Sequence, residues 1–493
     1  MRSLSNRTLS DPPPGTGVPG YDRSRVVPGI AHIGVGNFHR THQAVFVDRC
    51  LHLPGHEEWG IVGIGLGRSP GATAKAAAFR DQDHLYTVTE FDPGGSRQTR
   101  VVGAMVGYLH ALREPDRVLD LLASPGIRIV TLTITEGGYN IDERTGEFRS
   151  DAPEIAADLA RGVPETVFGL LVEALDRRRR AGTPAFAIVS CDNLRGNGDT
   201  ARKAVTCYAR ARDPQLAAWI EREAAFPNSM VDRIAPAVTP ADRDRLNAAS
   251  GVNDRMPAMG ESFIQWVIED RFPAGRPDFA AVGVQLRDDV ALFEAAKGRI
   301  LNAAHMMLSY PALLCGYRLV HEAMRDDRVR GLINRFLTQD AIPLIEGPPG
   351  ISLIDYKDII LGRFANPAVG DQLLRIAQDG AAKIPNFHRR TIERLLETGG
   401  SLDREAFFLA CFARYLHGCD DRGQSYEVVE PSLSPADRDA LQASDGLGLL
   451  RTTPFAALGL DRHPAFAAAY RAAATAIAGG VGPALAADDA HAW

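Results

Sequence analysis

Residues 26–40 read VVPGIAHIGVGNFHR. An apolar run, Val26 to Ile33, stops at two glycines set two residues apart, and a stretch of helical character, Arg40 to Leu51, follows. Strand, glycine turn and helix in that order can open a dinucleotide-binding unit. The glycines let the chain turn tightly and let a pyrophosphate approach the backbone near a helix N-terminus. The motif Gly34-Val35-Gly36-Asn37-Phe38-His39-Arg40 is incomplete, because His39 stands where the third glycine of GxGxxG falls. Alone, it fits a plain strand-to-helix turn as well as a cofactor cradle.

The segments around it decide in favour of an α/β sheet. Trp59 to Leu66 (WGIVGIGL) is a second apolar run, Leu85 to Phe91 alternates with strand period, and Ile127 to Thr135 (IRIVTLTIT) is rich in β-branched residues. Glu165 to Arg180 reads as a helix that stops at Gly182, where a left-handed cap fits, and Ala185 to Ser190 (AFAIVS) follows as a buried strand. Repeated strand–helix–strand order predicts a parallel, doubly wound, Rossmann-type sheet. From Asp289 onward the periods are helical: Ala291 to Met324 with a kink or break expected at Pro311, Arg328 to Leu337, Gln372 to Gln378, Arg404 to His417, and an alanine-rich C-terminal stretch. The expected organisation is a flexible lead-in over 1–25, a Rossmann-type cofactor-binding domain over 26–288, and a mostly helical substrate and catalytic domain over 289–493.

Composition narrows the function. A chain of 493 residues exceeds one compact core, and 45 % apolar with 24 % charged residues is the balance of a globular protein. A formal charge of −6 gives no electrostatic reason to bind nucleic acid or an anionic membrane. No window is apolar enough to span a bilayer, and the N-terminus has no apolar core of a secretory signal. The six cysteines are scattered without a CxxC pair, which fits free thiols and a cytoplasmic location.

Three further stretches carry candidate chemistry. The second strand ends Gly65-Leu66-Gly67-Arg68-Ser69-Pro70 without the carboxylate that holds a ribose 2′-hydroxyl in NAD sites. Glu57 and Glu58 precede that strand, at the wrong end. Arg68 and Ser69 fit a 2′-phosphate, so NADP stands beside NAD; a solvated loop cation is the equal alternative for Arg68. Ser190-Cys191-Asp192-Asn193-Leu194 directly follows a strand, where Asn193 can aim an amide N–H at a substrate oxygen or simply form a turn. Phe226-Pro227-Asn228-Ser229-Met230-Val231-Asp232-Arg233 adds no independent chemical signal. In KGRILNAAH, Lys297 to His305, an ideal helix places Asn302 about 140° and His305 about 80° from Lys297, with Arg299 outside that sector near ~200°. Apolar neighbours favour a neutral lysine, suited to a general base, and an amide beside it can steady a developing alkoxide. A snorkelling lysine with a carbonyl-bonded histidine is the ordinary alternative.

In order, these stretches resemble one family. GVGNFHRTHQA, LTITEGGYNID, PAFAIVSCDNL, Asn197-Gly198, FPNSMVDRI, GRPDF, KGRILNAAH and IDYKDIILGRFANPAVGDQLLRIAQDGAAKIP look like the mannitol dehydrogenase family, the polyol-specific long-chain dehydrogenases, over residues 27 to 480. The resemblance implies a metal-independent oxidoreductase that uses NAD or NADP to interconvert a polyol and a ketose, foremost D-mannitol and D-fructose. It implies Lys297 as general acid and base, Asn193 and Asn302 holding the reacting oxygen, and His305 binding substrate. Asp232, Arg375 and Lys383 match residues lining the substrate site, and Glu136 matches a glutamate of proton exchange with solvent. Gly34, Gly36, Asn37, Phe38, Arg68 and Ser69 form the expected cofactor side. The missing acid after Gly65 departs from NAD-preferring members, and Ala303 follows Asn302 where a glycine is usual. Other expected possibilities are a fructuronate reductase, another polyol such as arabinitol or sorbitol, or a catalytically silent nicotinamide sensor. Four retained candidate catalytic residues speak against the last. The expected partner is a small molecule, with no nucleic acid or membrane, in a monomer or small homo-oligomer.

Overall fold

The computed structural model describes residues 1–142 and 145–490. It divides into two compact units: Met1 to Ala291 without Pro93–Gly95, and Leu292 onward with Pro93–Gly95. In the first unit, β1 (Pro28–Ile33), β2 (Gly60–Gly65), β3 (Met105–His110), β4 (Ile129–Leu132) and β5 (Ala187–Ser190) form one parallel sheet in the order β3-β2-β1-β4-β5. Alternate residues of each strand face opposite sides, and helices cover both. Ile33, Ile64, Leu132 and Ile188 join the core with Pro115–Ala123, Val167–Ala181 and Asn197–Arg212, whereas Ile30, Ile61, Ile129 and Val189 join the core with Gln43–Leu51. Burial on both faces is why these strands read as continuous apolar runs rather than alternating ones. The Val167–Ala181 helix ends as expected at Gly182, whose φ of +69° turns the chain so that Thr183 N–H reaches the Arg178 carbonyl at 2.9 Å.

Three expectations change. Tyr86–Phe91 is a strand, but it lies outside the parallel sheet. It pairs antiparallel with Arg97–Val102 and parallel with Ala258–Glu261 in a four-stranded sheet. It too is buried on both faces, and its polar positions are satisfied inside, Thr87 by Asp254 (2.8 Å) and Thr89 by Thr99 (2.9 Å). The lead-in over 1–25 is built into the first unit rather than loose. Arg2–Ser3 pairs with Val252–Asn253, Thr16–Gly17 pairs with Thr99–Arg100, and Leu4 is buried with Leu85, Val101 and Val252. Finally, the chain stays helical past Pro311 to Leu314 and ends there before Gly316, which has a φ of +92°.

The second unit is helical, and among the described residues it contributes no strand to any sheet. Ala303–Leu314 is its central helix, buried along its whole length. Leu373–Ala377 and Asp403–Tyr415 pack on it, and Pro464–Ala478 packs on Asp403–Tyr415. A helix apolar all round has no solvent face to show, so its polar residues stand out as needing a reason.

Candidate active site

The strand register sets the carboxyl edge of the sheet. Ile33 is level with Ile64 and Leu132, and Leu132 is level with Ser190. The Gly34–Gly36 turn, the Leu66–Ser69 loop, the Thr133–Glu136 loop and Asp192-Asn193 therefore leave the same edge. β1 has β2 on one side and β4 on the other, so the order reverses at its end, where open sheets of this kind bind ligands.

The two glycines of the turn do different jobs. Gly34 has a φ of +98°, and a Cβ there would lie 2.0 Å from the Thr133 carbonyl oxygen. Gly36 has an ordinary φ of −110°, and a Cβ there would meet nothing closer than the Gly34 oxygen at 3.7 Å. Gly34 shapes the turn; Gly36 leaves open room in front of it, as a cofactor phosphate requires. At the third-glycine position, His39 is buried and stacked flat on His32 of β1, with ring centroids 3.4 Å apart. The nitrogens of His32 bond to Thr131 Oγ1 (2.7 Å) and Thr133 Oγ1 (3.0 Å). Burial pushes His32 down to about 3 and His39 well below its ordinary value, so both rings are neutral. Flat rings thus make the close helix–strand contact that a glycine makes elsewhere. Asn37 Nδ2 donates to the Pro236 carbonyl (3.2 Å), and Phe38 stacks on His42. At the end of β2, Ser69 precedes the Pro70–Asp81 helix, and the exposed Arg68 guanidinium pairs with Glu165 at 2.8 Å.

The β4 and β5 loops are tied together by a residue that sequence reasoning passed over. The Asp192 carboxylate accepts the N–H of Ile134 (3.0 Å), the N–H of Thr135 (2.9 Å) and the Tyr139 hydroxyl (2.7 Å). Thr135 and Asn140 both have positive φ, 64° and 52°, so the clamp holds a backbone that would otherwise relax. It fixes the turn Glu136–Tyr139, on which Glu136 is exposed, and presents Asn193 next in the chain. Burial raises the Asp192 carboxyl despite its three donors. Behind it, Asn197 Nδ2 donates to the carbonyls of Ser190 (3.0 Å), Asp192 (3.1 Å) and Ser229 (2.8 Å). That joins β5 to the strand Ser229–Asp232, whose last residue, Asp232, is buried. Gly198 has to be glycine, because a Cβ would fall 2.6 Å from the Phe226 carbonyl oxygen.

In the second unit, KGRILNAAH is not one regular α-helix. Val290–Lys297 is α-helical, Gly298–Asn302 is a π-helical turn, and Ala303–Leu314 is α-helical again. The Ala303 N–H bonds to the Gly298 carbonyl, five residues back. The 100° per residue spacing therefore fails across the stretch, and the angles expected for Asn302 and His305 are superseded. Such single π turns recur at functional sites. Lys297 and His305 are buried, and Asn302 is half-buried. The His305 ring lies flat on Phe364, centroids 3.9 Å apart. Arg299 points elsewhere, donating to Thr391 Oγ1 (3.2 Å) and the Leu344 carbonyl (2.8 Å). Arg375 pairs with Asp371 (2.6 Å) on the short helix Leu373–Ala377, and Lys383, on Gly380–Thr398, donates to the Gln378 carbonyl (2.6 Å).

Residues 28–281 match the Mannitol dehydrogenase Rossmann domain, and residues 289–478 match the Mannitol dehydrogenase C-terminal domain. The chain belongs to the mannitol dehydrogenase family. It is a nicotinamide-dependent polyol dehydrogenase. It is 47 % identical over 454 residues to the polyol:NADP oxidoreductase of Gluconobacter oxydans (strain 621H), covering 92 % of this chain and 93 % of that protein. Its fold matches a crystal structure of D-sorbitol dehydrogenase in substrate-free form, with a TM-score of 0.90, 43 % identity, and 98 % and 100 % of the two chains covered. It also matches the ternary complex of Pseudomonas fluorescens mannitol 2-dehydrogenase with NAD and D-mannitol, with a TM-score of 0.89, 38 % identity, and 98 % and 99 % covered. In this member of the mannitol dehydrogenase family, the described residues contain no helix long and apolar enough to cross a membrane. They also contain no group of three or more His, Cys, Asp or Glu side chains placed to hold a metal ion.

Proposed function

We propose that the protein interconverts D-mannitol and D-fructose, accepts NADP as well as NAD, and uses Lys297 as its general base and acid. The observation that carries this reading is the Lys297, Asn302 and His305 set on one distorted helical stretch, with Lys297 and His305 buried at the head of an otherwise apolar helix. A buried lysine and histidine on one stretch with an asparagine amide suit proton transfer at an alcohol. In oxidation Lys297 takes the proton of the reacting hydroxyl. The amides of Asn193 and Asn302 donate to that oxygen as its charge grows, which lowers the barrier most where the charge is greatest. His305, held flat by Phe364, and Asp232, Arg375 and Lys383 bind the remaining hydroxyls. Glu136, on its exposed turn, passes the proton to solvent. A nicotinamide held at the carboxyl edge of the sheet, by the Gly34–Gly36 turn and the residues after β2, would supply the hydride acceptor for oxidation and the donor for reduction. Reduction of the ketose runs the same proton steps backwards.

NADP use is supported by the absence of a carboxylate after β2, by the exposed Arg68 beside Ser69, and by the Gluconobacter relative. An exposed ion pair such as Arg68–Glu165 is worth little, so Arg68 can exchange it for a phosphate at small cost. D-sorbitol is the second reading for the polyol, favoured by the likeness to D-sorbitol dehydrogenase. Replacing Lys297 tests the proton-transfer role. Lys297→Ala is expected to lower turnover by about 100-fold or more and to change its pH dependence, with dinucleotide affinity nearly unchanged. A variant that keeps both its rate and its pH profile rules Lys297 out as the base.

A further inference from the structure

The Gly34–Gly36 turn is flanked by two cations, Lys75 and Arg40. Lys75, on the Pro70–Asp81 helix, reaches across from the strand–helix unit of β2, and its Nζ donates to the Val35 carbonyl, between the two glycines. Arg40 is buried, and its Nε donates to the Gly36 carbonyl at 3.3 Å. The remaining Arg40 donors go to the Met256 and Pro257 carbonyls and to Asn37 Oδ1. Among the described residues neither cation forms a salt bridge with a carboxylate. The imidazoles facing them, His32 and His39, are neutral and supply no counter-charge.

Arg40 is eased by the nearby Asp254 carboxylate and by the Tyr86 ring, but Lys75, partly desolvated, faces the Val35 carbonyl with no acid beside it, an unfavourable arrangement for an ammonium. Removing charge from water is costly unless an opposite charge or a full set of acceptors replaces the solvent. Carbonyl dipoles meet part of that need, and the two cations repel each other. Burial, and then Arg40, lower Lys75 to about 8 from its ordinary 10.5. The arrangement makes sense once an anion of about two negative charges lies on the turn, in the room left open by Gly36.

We propose that Lys75 is a ligand of the dinucleotide's diphosphate, the group common to NAD and NADP, with Arg40 holding the turn rigid beneath it. This rests on the nicotinamide assignment above. Val35 places Lys75 at the glycine turn, whereas Arg68 and Ser69 stand at the end of β2, where a 2′-phosphate belongs. The two cations therefore divide the work: Lys75 for affinity toward both cofactors, Arg68 for preference between them.

Calorimetric titration of the full-length protein with NAD and with NADP tests the division. Lys75→Met keeps the length of the stem and removes the charge, and Lys75→Arg keeps the charge. Lys75→Met is expected to weaken NAD and NADP by the same factor, about 10- to 100-fold. Lys75→Arg should stay close to the unmodified protein, and Arg68→Ala should weaken NADP alone. In the unmodified protein near pH 8, titration in buffers of different ionisation enthalpy should show proton uptake on binding, because the diphosphate stabilises the ammonium form. Unchanged affinity in Lys75→Met, or a loss confined to NADP, would overturn the role. So would absence of proton uptake should Lys75→Met fail to fold. If the unmodified protein binds neither dinucleotide, the cofactor assignment itself fails, and the Lys75 role with it.

Discussion

Gly34 and Gly36 stand two positions apart in one turn and meet quite different surroundings. Gly34→Ala forces a Cβ to within 2.0 Å of a carbonyl oxygen at a φ that side chains rarely adopt. We expect it to cost about 3 kcal/mol or more of stability. Gly36→Ala meets open space at an allowed φ. It should leave the thermal midpoint within a degree or two while weakening dinucleotide binding, because its methyl group occupies the room a phosphate needs. Thermal unfolding and calorimetric titration of the two variants check this contrast, and a Gly36→Ala protein that binds normally would remove the turn from the cofactor site. At this scale the glycine turn and Asn193 stood out in local text, because glycine spacing and strand ends leave marks in a single stretch, whereas Asp232, Arg375, Lys383 and Glu136 were pointed to only by the family resemblance. Neither route marked Asp192, Lys75 or Phe364. Asp192 clamps a loop more than fifty residues away in the chain, Lys75 bonds to Val35 forty residues back, and Phe364 faces His305 from another helix. Each is defined by a partner that only the fold brings near.

Among the elements, the parallel strands were the most legible, because burial on both faces writes itself as an unbroken apolar run. The π turn at Gly298–Asn302 left no such mark: one extra residue in a helical turn changes the angle of everything after it but not the apolar pattern. The two-residue pairings of the lead-in were hidden for the opposite reason, being too short to show a period. The Gly380–Thr398 helix, which carries Lys383, adds a pH-dependent feature. The buried Glu430 carboxylate accepts the N–H groups of Gly380 and Ala381, each at 2.9 Å, at its first turn. Burial nonetheless raises Glu430 from 4.5 to about 7, outweighing those two donors. The folded protein therefore holds this proton more tightly than the unfolded chain does. Its contribution to stability is fully present below pH 4.5 and is lost as the pH rises through about 7. Glutamine cannot titrate, so the thermal midpoint of the natural protein should fall relative to Glu430→Gln across that window. A difference that stays flat with pH would show that Glu430 is already ionised throughout.

For the whole molecule, composition gave no reason to expect a nucleic-acid or membrane-spanning role, and the change of period near the middle of the chain separated a sheet-bearing part from a helical one. Family membership follows from the match of both halves. What composition and period do not encode is the choice among substrates that differ in the configuration of one carbon or in one carboxylate. That choice depends on the placement of a few side chains within fractions of an ångström. The measurement that bears most directly on the account is a set of initial rates, followed at the reduced-nicotinamide absorbance band. D-mannitol, D-sorbitol, D-fructose and fructuronate would each be assayed with both NAD and NADP forms. The account predicts oxidation of D-mannitol and reduction of D-fructose, with NADP turned over at a rate comparable to NAD. Faster reduction of fructuronate than of fructose, or no turnover with any pair, would contradict it.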